Sequence, residues 1–128
     1  MKENGYLLKC KAELEFLKAQ DSLDDEKKTR AAWLEKELSA KYMVEEDGGN
    51  RYYYVIEDRP SATTIMLRMM TYKVENNMRT YIPDPDGDQV KVRRYAKKME
   101  YQEMNNKSGK FMLLESLPDP EPISNMGA

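Results

Sequence analysis

The sequence predicts an α+β fold: an N-terminal helical hairpin packed on an antiparallel β-sheet of four to six strands, with an extended proline-rich C-terminal tail. Three observations predict it. Apolar residues recur at helical spacing as far as Ala40. From Lys41 onward, short segments rich in β-branched and aromatic residues replace that period. Between two of these segments stands Asp47-Gly48-Gly49-Asn50, which supplies the residues that tight hairpin turns require. The 128 residues read as a single domain over 1–117, helical at 5–40 and mainly β at 41–117, followed by an acidic tail over 118–128.

Leu7, Cys10, Leu14 and Leu17 make one apolar seam, widened by Leu8 and Phe16. The seam fails across residues 20–28 and resumes at Ala31, Leu34 and Leu38, with Trp33 beside it. Two antiparallel helices joined near residues 19–22 account for the break; one continuous helix of about 35 residues is the alternative. Ser22 with Asp25 resembles a capping box for the second helix. Lys41–Glu46 and Arg51–Glu57 then flank the hairpin turn. Alternation predicts Tyr52, Tyr54 and Ile56 on one face of the second strand, with Tyr53 and Val55 on the other.

Residues 61–82 admit two readings. Ala62, Ile65, Met66, Met69 and Met70 fall at helical spacing. Thr63, Thr64, Thr71, Tyr72 and Val74 favour strand, and Glu75-Asn76-Asn77 can turn a hairpin into Met78–Ile82. Strand is preferred, because the flanking segments also read as β. Pro83–Asp88 is a loop, and Gln89–Tyr95 a strand. Ala96–Met104 is rich in helix formers and admits a short helix, and Lys110–Leu117 gives a last apolar strand. The tail, with Pro118, Pro120 and Pro122, lacks the N–H groups a ladder needs and reads as polyproline-like chain.

The chain contains no histidine and one cysteine, Cys10. That removes the usual proton carrier near neutral pH, any His-dependent triad or Cys–His dyad, and a self-contained Cys/His zinc site. Cys10 lies in the helical seam and reads as a small buried apolar residue. Asp84, Asp86 and Asp88 occupy the first, third and fifth places of a calcium loop. Gln89 stands where its glycine is required and Tyr95 where its glutamate is required, so a solvated turn is the simpler reading. No cofactor, no metal and no enzymatic activity are expected. With a single cysteine, no visible secretory signal and no apolar run near the ~18 residues of a membrane span, a cytoplasmic location is expected, in the host cytoplasm if the chain is viral.

Two surfaces are then the candidates for function. Ten methionines and nine tyrosines, against two phenylalanines, favour protein contact, because both side chains adapt to partner surfaces. Tyr52, Tyr53 and Tyr54, with Pro118, Pro120, Pro122 and Met126 of the tail, are the contact residues expected. The partner is a protein, within a larger assembly or as a second copy. Small size and missing catalytic residues suit a regulatory or accessory protein, such as the inhibitors that viruses and phages encode. The alternative is nucleic-acid binding by Lys91, Arg93, Arg94, Tyr95, Lys97 and Lys98. Residues 91–98 carry five bases and no acid, and a ring among cations serves both phosphate and base.

Overall fold

The computed structural model describes residues 5–104 and 109–122. Two helices, α1 (Gly5–Lys18) and α2 (Asp25–Ser39), form the hairpin. Their antiparallel course shows in the pairs Tyr6–Glu37, Glu13–Arg30 and Gln20–Lys27. The N-cap of α2 is Asp24, not Ser22. Its extended backbone (φ −74°, ψ 174°) lets its carboxylate accept the Lys27 N–H at 2.8 Å. A carboxylate there meets both an orphan donor and the positive end of the helix dipole.

The strands are β1 (Tyr42–Asp47), β2 (Asn50–Ser61), β3 (Thr64–Met69), β4 (Thr71–Glu75), β5 (Met78–Ile82), β6 (Gln89–Tyr95), β7 (Glu100–Glu103), β8 (Lys110–Leu114) and β9 (Glu121–Pro122). Six of them make one antiparallel sheet in the order β7-β6-β3-β2-β1-β8. Gly48 and Gly49 both take positive φ in the β1–β2 turn, and Asn76 and Asn77 do the same between β4 and β5. These are the conformations that two-residue hairpins need. Register shifts after Ile56 and Asp58 bend the long β2, and the outer strands β7 and β8 curl toward each other.

The segment 61–82 is strand, and it changes sheets. Met70, between β3 and β4, gives its N–H to Tyr53 O at 2.8 Å and passes the chain into a smaller sheet of order β4-β5-β9. A strand that switches sheets turns a corner and can cover the face it has left. Residues 96–104 form no helix. Lys98 N–H closes a turn onto Tyr95 O, Met99 enters the left-handed region at φ 58°, and β7 follows. A residue of that conformation stops a helix from propagating. The tail also joins a ladder: Glu121 and Pro122 lie opposite Arg79 and Met78 of β5. Glu121 retains the N–H that proline lacks, and Pro122 is tolerated at the strand's end.

The core has two compartments. Cys10, Leu14, Leu17, Trp33 and Leu34 of the helices pack on Met43, Tyr54, Ile56, Ile65, Leu67, Val92, Phe111 and Leu113 of the large sheet. On the opposite face of β1 and β2, Val44, Tyr53 and Met70 pack with Tyr42, Val55, Tyr81, Leu114 and Leu117. Thus the tyrosine triplet alternates as expected, and the small sheet meets the face turned away from the helices.

One ion pair lies inside the first compartment. Arg94 Nε meets Glu37 Oε1 at 2.5 Å, with both side chains almost wholly buried. Arg94 Nη1 donates to Ala62 O at 2.7 Å, and its guanidinium stacks on the Tyr6 ring at 3.9 Å. Strand alternation turns Arg94 inward between the exposed Arg93 and Tyr95, so Arg94 is absent from the basic surface. Arg30 is a second tie: it pairs with Glu13 at 2.7 Å, gives Nη1 to Ala96 O at 2.6 Å and lies over Trp33. It thereby joins both helices to the turn after β6.

Candidate protein-binding cleft

Where the small sheet folds over the large one, a cleft of about 500 Å³ remains open. Its floor and walls come from the β1–β2 turn, the start of β2, the Met69–Tyr72 corner, and Arg79, Tyr81 and Glu121. The aromatic groups form a chain of contacts. Tyr53 and Tyr81 have ring centroids 4.3 Å apart, and Tyr81 meets Tyr72 edge-on at 6.0 Å. The Arg79 guanidinium covers the Tyr72 ring at 4.5 Å. Tyr72 is 49% exposed and Tyr52 40%, whereas Tyr53 is buried on the floor and Tyr54 faces the opposite compartment.

The electrostatics of the cleft are uneven. Arg51 is engaged by Glu46, Nε to Oε1 at 3.3 Å. Arg79 has no carboxylate within ion-pair distance among the described residues, and its Nε is shielded from water without a hydrogen-bond partner. The Tyr81 hydroxyl beside the guanidinium, then the phenols and Glu121 around it, hold the Arg79 pKa above its ordinary value. Burial, and then the charge of Glu121, pushes the Tyr53 phenol upward. Glu121 is therefore felt in the cleft without being bonded to the arginine.

The other expected residues fall elsewhere. Lys91, Arg93 and Tyr95 project together from β6, with Arg93 over the Tyr95 ring at 5.5 Å; Lys97 and Lys98 are exposed in the following turn. Pro118 and Pro120 lead into β9, which contains Pro122. Met126 lies outside the described residues. Asp84 and Asp86 shape a turn, with Asp86 N–H on Asp84 Oδ1 at 3.0 Å and Gly87 N–H on Asp84 O at 3.0 Å. Gly87 is required there, because an added Cβ would lie 2.1 Å from Met69 O.

A carboxylate pair stands at the gap between β7 and β8. Glu45 Oε1 accepts from the Tyr54 hydroxyl at 2.7 Å and is buried. Burial, reinforced by the charge of Glu45, raises the Glu103 pKa. Among the described residues no three acidic or cysteine side chains converge as a metal site, and no helix is long and apolar enough to cross a membrane.

Sequence reading missed Tyr72, Arg79, Tyr81 and Glu121 as site residues. Tyr72 and Tyr81 face each other in the β4–β5 register, so the hairpin signal at Asn76-Asn77 was enough to pair them. Nothing in the sequence placed that hairpin on Tyr53. Comparison with known proteins finds no matching family model, curated protein or solved structure.

Proposed function

We propose that the chain is a small non-enzymatic protein-binding module, regulatory or assembly-related, whose contact surface is the tyrosine–arginine cleft. The observation that carries this reading is an open cleft built around the rings of Tyr53, Tyr72 and Tyr81, with Arg51 and Arg79 at its sides. Those residue types dominate the energetics of protein interfaces, through large rigid contact area and planar donors. Such a module acts by occupancy: it fills a partner's surface and performs no chemistry there. A cytoplasmic site of action, in a host if the chain is viral, belongs to the same proposal.

The test compares surfaces. The full chain is used to capture companions from its native host, alongside a Tyr72→Ala variant and a Lys91→Ala/Arg93→Ala variant. A companion that binds the intact chain and the β6 variant, but not the tyrosine variant, supports the cleft. A companion lost only in the β6 variant contradicts it.

One observation favours a second reading. Lys91, Arg93 and Tyr95 share an exposed strand face, which suits phosphate contact and base stacking. Titrating a labelled oligonucleotide at two salt concentrations decides this reading, since phosphate-driven binding weakens steeply with salt. Absence of binding at low salt removes it.

A further inference from the structure

The cleft already holds one piece of extended chain along its flank. Among the described residues β9 adds to β5 through two residue pairs, Met78 with Pro122 and Arg79 with Glu121. Pro120 and Pro122 lack N–H donors, so this ladder is poor in hydrogen bonds. A two-pair strand is weakly held, and Glu121 brings a carboxylate to the cleft without closing an ion pair on Arg79. What remains is a guanidinium whose buried Nε has no partner among the described residues, stacked on Tyr72 and lying beside Tyr81. A buried N–H without an acceptor costs free energy until something supplies one. The acceptor that suits a guanidinium best is a carboxylate.

The walls specify the rest of the ligand. Tyr72, half exposed, and Tyr81, packed against the buried Tyr53, offer apolar ring surface on which proline rings of an extended chain pack well. Proline also lowers the entropy lost when such a chain is ordered. The in-chain segment at this place, Pro118-Asp119-Pro120-Glu121-Pro122, has the same chemistry. We propose that the cleft recognises an extended, acidic, proline-containing peptide of another protein, whose carboxylate accepts from Arg79. The segment 118–122 is its in-chain competitor. This inference rests on the protein-binding reading above and names the partner's chemistry.

The experiment uses the full chain and two labelled synthetic peptides, followed by fluorescence anisotropy. One is Ser-Leu-Pro-Asp-Pro-Glu-Pro-Ile; the other replaces its Asp and Glu by Asn and Gln. The acidic peptide binds, and the neutral one binds about tenfold more weakly, as expected for loss of one charge-assisted hydrogen bond. Arg79→Gln weakens the acidic peptide by about the same factor, while Arg79→Lys, which keeps the charge without the planar fork, loses about threefold. Glu121→Ala tightens binding about threefold, because the cleft loses a carboxylate that repels the incoming acid.

Equal binding of the two peptides would overturn the inference while leaving the cleft a peptide site. No binding to the wild type or to Glu121→Ala would also overturn it, and the host-capture comparison would still judge the broader reading independently. Displacement of the acidic peptide by oligothymidine would overturn it in favour of nucleic acid. Thermal unfolding of Arg79→Gln and Arg79→Lys confirms that the variants are folded, and the lysine variant keeps the test decisive if the glutamine variant is not.

Discussion

Two of the arginines that stack on tyrosine rings stand in opposite settings, Arg94 over Tyr6 at 3.9 Å and Arg79 over Tyr72 at 4.5 Å. Arg94 lies between the helices and the large sheet, ion-paired with Glu37 and bonded to Ala62 O. Arg79 lies on the small sheet, without a carboxylate partner among the described residues, at the side of an open cleft. The stacking is the same and the wiring is not. A buried cation must be neutralised inside the fold, so its partners are fixed and it specifies structure. A cation at an open cleft leaves its acceptor to be supplied from outside, so it is available for recognition.

The largest expected effect follows from the buried member. Glu37→Gln leaves the Arg94 charge uncompensated and should cost about 3–5 kcal/mol of stability in urea unfolding. Arg79→Gln should change stability by no more than about 1 kcal/mol, because the stacking on Tyr72 that is lost is offset by removal of the unsatisfied Nε. Comparable losses from the two variants would break the distinction between the two sites.

The same contrast holds for apolar side chains. Leu67 is fully buried, and Leu67→Ala should cost about 2–5 kcal/mol through lost transfer energy and the cavity left behind. Val74, 50% exposed on β4, should lose no more than about 0.5 kcal/mol when changed to alanine. A large loss at Val74 would mean that the small sheet is structurally coupled to the core rather than laid over it.

Titration sharpens the comparison further. Burial pushes the Tyr54 and Tyr101 phenols far above their ordinary range, with the charges of Glu45 and Glu37 respectively adding to it. For a raised pKa, the stability is complete below the unfolded value, about 10 for tyrosine, and is lost as pH rises above it. Each such phenol contributes a slope of up to about 1.4 kcal/mol per pH unit in that window. Stability measured from pH 9 to 11 should therefore fall steeply, and Tyr101→Phe should flatten the fall.

The smallest effect is at Glu103, whose raised pKa means that the charged form disfavours the fold. Stability from this group should rise modestly as pH falls through its folded pKa toward the ordinary carboxylate value, and Glu103→Gln should abolish that rise.

Local signals made much of the fold legible and little of the site. The seam from Leu7 to Leu17, its failure across residues 20–28 and the Gly48-Gly49 turn each act over a few residues, so periodicity and turn chemistry exposed them. The alternation of Tyr53 and Tyr54 was visible for the same reason. Arg94 was assigned to the basic surface because a run of charges hides which members a strand turns inward. Its distant partners, Glu37, Ala62 O and the Tyr6 ring, explain that burial. The cleft was illegible because it depends on where the chain changes sheets at Met70 and on Glu121 returning to β5. Both are long-range placements with no local residue signature.

Hydrogen–deuterium exchange of the full chain, with and without the companion captured from its host, tests the role of the cleft most directly. Slowed exchange across Thr71–Ile82, with 91–98 unchanged, is the predicted result. Slowed exchange across 91–98, with the β4–β5 hairpin unchanged, would contradict it.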